Sequence, residues 1–166
     1  MLTLPTIIER AARPYVAIRK TLAMTDIKSA VDRSFGELFG WMGDNEIEPK
    51  AAPFLKYNII DMAGKLEIEF GAPTSALVKG EGRFIAGTLP AGRYGMVLYH
   101  GPYSNLLDVN AVLIGWAKEK GIRWDVEETA AGDRFACRIE TYITDPRTEP
   151  DQKKWQTEVA IRIADQ

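Results

Sequence analysis

The chain repeats itself, and this restricts its fold more than any other feature. One half contains Arg13-Pro14-Tyr15-Val16-Ala17-Ile18, then an apolar stretch ending in Leu38-Phe39-Gly40-Trp41-Met42. The other contains Gly92-Arg93-Tyr94-Gly95-Met96-Val97, then Leu113-Ile114-Gly115-Trp116-Ala117. In both, a tyrosine in a strand pattern precedes a helix pattern with an apolar-apolar-Gly-Trp turn. The segments after the helices also agree: Tyr57-Asn58-Ile59-Ile60-Asp61 leads through a turn to Leu66-Glu67-Ile68-Glu69-Phe70, and Tyr142-Ile143-Thr144-Asp145-Pro146 leads to Thr157-Glu158-Val159-Ala160-Ile161. Self-similarity of this kind means one supersecondary unit used twice. Each half reads strand, helix, strand, strand.

The periodicities support that reading. Ile27, Val31, Phe35, Leu38, Phe39 and Met42 recur at helical spacing, with Thr25 placed to cap the start and Gly43 to end it. A second helix is expected from a Ser104 cap to Gly121, with Leu106, Val109, Leu113 and Trp116 on one stripe. Leu66, Ile68 and Phe70 alternate with Glu67 and Glu69, the pattern of a strand with one face on a core. Cys137, Ile139 and Ile143 alternate with Arg138, Glu140 and Tyr142, so the first set is expected to pack against the helices. The predicted architecture is α+β: duplicated βαββ units with pseudo-two-fold symmetry, both helices on one face of an antiparallel sheet, and a central groove. A single domain over residues 1–166 is expected, with repeat one over about 5–72, a linker over about 73–82 and repeat two over about 83–165.

Composition narrows the class. At 46% hydrophobic and 27% charged residues the chain is globular in character, with no apolar run long enough to span a bilayer. Met1 to Arg13 lacks the basic start, apolar stretch and cleavage site of a signal peptide. One cysteine, Cys137, excludes an intramolecular disulfide and a cysteine-rich metal site, so the cytoplasm is the expected location. Net charge is −2 with both signs interspersed, and direct nucleic-acid binding and membrane binding are not expected. His100 is the only histidine, with no cluster to complete a metal site or a catalytic triad, and no cofactor is expected. Gly80-Glu81-Gly82 is too short and too acidic to cradle a phosphate.

Glu140 is the residue that stands out. It shares a strand face with Tyr142, and that face is expected to meet water or a ligand. A carboxylate among aromatic rings suits organic cations, through charge and cation–π attraction; a solvated strand glutamate beside Arg138 gives the same spacing. The repeat places Leu55 at the position of Glu140, so the carboxylate occurs in one half alone. Tyr94, Tyr103, Trp116 and Trp155 are the other aromatic candidates. Trp116 lies on a helix stripe, where core packing is the better reading. Tyr94 and Tyr99 face opposite sides of one strand, so at most one lines the groove.

The segment Leu89-Pro90-Ala91-Gly92-Arg93-Tyr94, followed by Tyr99-His100-Gly101-Pro102-Tyr103, resembles the signature of GyrI-like (gyrase-inhibitor-like) effector-binding domains. So do Ile139-Glu140-Thr141-Tyr142, Trp155-Gln156-Thr157-Glu158-Val159 and the opening Ile8-Glu9-Arg10-Ala11-Ala12-Arg13-Pro14-Tyr15. That family, related to the ligand domains of multidrug-responsive transcription activators, implies duplicated βαββ architecture. It also implies a pocket for lipophilic, aromatic or cationic compounds, with Glu140 as the acidic residue and Tyr142, Tyr94, Tyr103, Trp155 and Trp116 as candidate ligand-binding residues. Drug or toxin sequestration, or regulation, is the implied role. Some standalone members resemble hydrolases that open strained cyclopropane rings of DNA-alkylating natural products, which would make Glu140 a general base. Binding to gyrase or to a regulator without a ligand is a further alternative, and so is haem binding. The polar insertion Arg147 to Lys154 in the second repeat departs from the pattern and is placed to cover or reshape the groove.

Overall fold

The computed structural model describes residues 1–61 and 64–166; the turn expected between Asp61 and Leu66 falls partly outside them. The first half supplies strands β1 (Thr6–Arg10), β2 (Arg13–Ala23), helix α1 (Ile27–Asp44), β3 (Phe54–Ile60) and β4 (Lys65–Pro73). The second supplies β5 (Phe84–Leu89), β6 (Gly92–His100), helix α2 (Leu106–Lys120), a hairpin of β7 (Val126–Thr129) and β8 (Gly132–Phe135), then β9 (Arg138–Tyr142) and β10 (Gln156–Arg162). They form one antiparallel sheet in the order β1-β6-β10-β9-β3-β4-β2-β5, with the hairpin attached to β3 through β8.

That order reads the same from both ends once the halves are matched. β9 equals β3, β10 equals β4, β6 equals β2, and β5 equals β1. The halves meet where β3 pairs with β9, and there Leu55 faces Glu140 across the ladder. The pseudo-two-fold axis therefore passes through Leu55 and Glu140, a position where the repeats differ in charge.

The sheet is strongly curled. β1 and β2 stand near opposite ends of the strand order yet are joined by Ala11 and Ala12 alone. A link that short spans only about 10 Å, so the two edges must approach one another. β5 and β6 are joined equally tightly through Pro90 and Ala91. The inner face consequently closes on itself. Tyr15, Ala17, Phe54, Leu89, Tyr94, Cys137, Ile139 and Ala160 form one cluster drawn from both halves.

The outer face carries the helices, each packed on its own half. Leu38 and Met42 of α1 pack with Val16, Ile18 and Ala72, and Phe35 reaches Phe70 edge-on at 5.7 Å. Leu106, Val109 and Leu113 of α2 pack with Val97, Tyr99, Val159 and Ile161. The β3–β9 junction lies between these two packings. Both helices begin differently from the sequence expectation. A single 3-10 turn, Met24–Asp26 or Tyr103–Asn105, leads into each helix, and neither Thr25 nor Ser104 acts as a side-chain cap. The turn backbone instead accepts the first N–H groups, from Ile27 to Met24 and from Leu106 to Tyr103. Gly43 lies inside the last turn of α1, whereas Gly121 ends α2 with a φ of 68°, a conformation that favours glycine.

The faces of β9 are the reverse of those expected. Ile139 and the adjacent Cys137 point to the inner cluster, and Ile143 is 45% exposed, so none of the three packs against the helices. Glu140 and Tyr142 lie on the helix side instead. The curl buries the inner face without any helix, so an apolar set on one side of a strand does not reveal where the helices are. For the same reason Glu69, which alternates like a solvent-facing residue, is 1% exposed.

Candidate functional site

Glu140 sits at the junction of the repeats and is 6% exposed. Tyr57 of β3 and Tyr142 of β9 each donate a hydroxyl hydrogen bond to its Oε1 at 2.9 Å. Asn110 of α2 donates Nδ2 to Oε2, also at 2.9 Å, and to the Leu106 carbonyl at 2.8 Å. The Asn110 oxygen is held in turn by Arg138 Nη2 at 3.2 Å, which fixes the amide with its donors toward Glu140. Arg138 itself lies over the Phe135 ring. The carboxylate thus accepts three hydrogen bonds, all from neutral groups. Among the described residues it makes no ion pair within 4.0 Å.

Burial, then the neighbouring Glu140 charge and the hydrogen bond to it, push the Tyr57 hydroxyl well above its ordinary value; the same causes, with Tyr57 adding to them, act on Tyr142. Both hydroxyls are therefore held in the neutral, donating form. Burial also pulls the Arg138 guanidinium down, against the opposing pull of Tyr57 and Glu140.

Aromatic rings continue outward from this carboxylate. Tyr103 meets Tyr142 edge-on at 5.3 Å and Trp155 at 4.7 Å. Burial, helped by Asp145, raises the Tyr103 hydroxyl to about 12. Trp155 is fixed by its own Nε1, which donates to the Glu149 carbonyl at 2.8 Å. That carbonyl belongs to the polar insertion, which folds on itself: Arg147 pairs with Asp145 at 2.9 Å, and Asp151 accepts from the Lys153 backbone. The insertion anchors Trp155 against Tyr103.

The fold thus brings Glu140, Tyr142, Tyr103 and Trp155 into one chain of contacts. It does not bring Tyr94 or Trp116 to them. Tyr94 points into the inner cluster, donates to the Pro90 carbonyl at 2.6 Å and lies under Arg10. Trp116 packs with the α2 cluster beside Gly95, where an added Cβ would lie 3.3 Å from its ring. Sequence reasoning missed Tyr57 and Asn110 as partners of Glu140. Tyr57 carried a signal, since the repeat aligns it with Tyr142; Asn110 carried one only as a polar residue within an apolar helix.

A second buried carboxylate lies on the inner face. Glu69 accepts from Tyr15 at 2.6 Å, from Asn58, and from the Lys56 ammonium at 3.4 Å, with Arg19 at 3.8 Å. Burial acts to raise the Glu69 carboxyl, but Lys56, Tyr15, Asn58 and Arg19 together hold it below its usual value. This network depends on a β-bulge at Asn58, where the pairing of β3 with β4 skips from Tyr57 to Ile59. The extra residue aims Asn58 beside Lys56. The network lines a cavity of 580 Å³, walled on its other side by Asp125, Glu127, Arg134, Phe135 and Ala136 of the hairpin region.

Residues 4–164 match the GyrI-like small molecule binding domain. The chain belongs to the GyrI-like family. Solved structures share the fold of this GyrI-like domain. EcmrR in complex with DNA superposes with a TM-score of 0.76 at 18% identity, covering 98% of this chain and 58% of that one. The EcmrR C-terminal domain gives 0.71 at 19% identity and 98% coverage of both chains. SAV2435 bound to tetraphenylphosphonium gives 0.68 at 15% identity, covering 98% and 94%. This GyrI-like chain thus spans 58% of the length of EcmrR in its DNA complex. No curated protein matches the sequence. Among the described residues no helix is long and apolar enough to cross a membrane, and no group of three His, Cys, Asp or Glu side chains is placed to hold a metal ion.

Proposed function

We propose that this GyrI-like domain binds a lipophilic organic cation between its repeats, with Glu140 as counter-ion. Tyr57, Tyr142, Tyr103 and Trp155 would form the aromatic wall. One observation carries the reading: a buried carboxylate held by neutral donors alone, with no ion pair. Burying a charge without an opposite charge is costly, and a cation with a diffuse charge and an apolar surface relieves that cost without itself demanding strong hydration. Faces of tyrosine and tryptophan add cation–π attraction. Three acceptor positions of the carboxylate are filled already, which leaves little room for an attacking water and favours a counter-ion over a general base in ring-opening hydrolysis. The family match to small-molecule binding domains supports the reading, as does the related fold of SAV2435, solved with a cation of this class.

Tetraphenylphosphonium is the first probe. Titration followed by tryptophan fluorescence should show saturable binding by the wild type. Glu140→Gln keeps the shape and removes the charge, and should weaken binding on the order of a hundredfold, as expected for losing one partner of a buried charge pair. Equal affinity in both proteins would exclude Glu140 as the anchor. A role in sequestration or regulation follows if the cation shifts the protein's association with a regulator in cell extract.

A further inference from the structure

The inner-face cavity is separate from the Glu140 cluster, on the other side of the sheet, and its charges are arranged differently. Its floor is the paired network of Lys56, Asn58 and Glu69. Lys56 has three ammonium protons and two acceptors, Asn58 and Glu69. Its walls carry both signs unpaired. Glu67, Glu127 and Arg134 line the space, and among the described residues none of them takes part in an ion pair.

The register sets their spacing. Ile59 pairs with Glu67 on one side and with Arg134 on the other. Glu67 and Arg134 therefore stand two strand spacings apart, about 10 Å between backbones, with Ile59 between them. One wall belongs to the first repeat and the other to the hairpin β7–β8, which has no counterpart in the first half, so the site occurs once. Asp125 at the rim is already neutralised by Arg162 at 2.6 Å.

We propose that this cavity binds a small zwitterion of amino-acid to dipeptide size. The ligand's carboxylate would lie toward Arg134 and the free Lys56 proton, and its ammonium toward Glu67 and Glu127. Glu127 and Arg134 stand opposite each other on the hairpin wall, so a ligand of one sign would leave either Arg134 or the two glutamates unmatched. A zwitterion matches both signs and leaves the Glu69 network intact. The volume of 580 Å³ accommodates such a molecule with its remaining water.

Amide NMR titration separates the possibilities. The probes are glycylglycine, its anionic analogue N-acetylglycylglycine and its cationic analogue glycylglycinamide. Glycylglycine should bind roughly tenfold tighter than either single-charge analogue, a difference of about 1.4 kcal/mol. Its shifts should map to residues 56–60, 65–69 and 125–136 and spare Asn110 and Glu140. Glu67→Gln should lower its affinity to that of the anion, and Arg134→Gln to that of the cation. Equal affinity for the three probes, shifts centred elsewhere, or no shifts would overturn the proposal. Because both substituted residues lie on the cavity walls and not in the buried floor, loss of folding is not expected, and unchanged spectra of the free variants check this.

Discussion

Glu140 and Glu69 are two buried carboxylates in one curled sheet, on opposite faces and with opposite kinds of company. Glu69 is held by an ammonium, a guanidinium, a phenol and an amide. Glu140 has two phenols and an amide; the Arg138 guanidinium bonds to that amide and feels the Glu140 charge, but makes no ion pair with it. A carboxylate paired within the protein contributes to the fold under all neutral conditions, and removing its partner strands a charge. A carboxylate with neutral donors alone has no ion pair to lose. On the proposed function, the second half would offer Glu140 to a ligand cation at a place where the first half has Leu55.

Removing Lys56 should break this comparison most visibly. Lys56→Met leaves Glu69 buried without its ammonium and should cost about 3 kcal/mol of stability in urea unfolding, the scale for breaking a buried ion pair. Glu140→Gln, which removes a charge that makes no ion pair, should cost about 1 kcal/mol, the scale of one imperfect hydrogen bond. Similar losses in the two variants would show that the carboxylates are not distinguished by their partners.

Acid sharpens the same contrast. The Glu69 carboxyl is held below its ordinary value in the folded protein. Its contribution is therefore fully present above the unfolded value, about 4.3, and is lost as pH falls through the lower folded value. Urea stability of the wild type should fall over that acid range, and Glu69→Gln should be less stable at neutral pH with a flatter acid slope. An unchanged slope would remove Glu69 as the source.

The smallest effect concerns the insertion. Trp155→Phe keeps the ring beside Tyr103 but removes the donor to the Glu149 carbonyl. It should cost about 1 kcal/mol at most and should speed hydrogen exchange over residues 147–154, while exchange at Lys56 and Glu69 stays as it was. Faster exchange throughout the chain would mean that Trp155 supports the whole fold and not this segment.

Much of the scaffold was legible in the residues. The repeated Tyr15 and Tyr94 strands, the two helices and the paired strands after them follow from period and order, and so does the placing of Tyr94 and Tyr99 on opposite faces. The hairpin β7–β8 was not legible. Val126-Glu127-Glu128-Thr129 and Gly132-Asp133-Arg134-Phe135 are short and polar, and a strand that buries neither face writes no alternation. Glu69 was misread because alternation beside Leu66, Ile68 and Phe70 implies water on the other side. The Asn58 bulge left no mark in the sequence either, since its signal is a skipped partner and not a residue type.

The sequence by itself determined which residues share a face, which segments repeat, and that Glu140 stands where its repeat has Leu55. These are local properties, set by side-chain period along the chain. Only the tertiary structure decided that the helices cover the face of Glu140 and that the sheet curls until its inner face closes over Glu69. Those depend on links of two residues drawing distant strands together. That closure turned one glutamate into a paired part of the core, while the helices left the other buried without an ion pair.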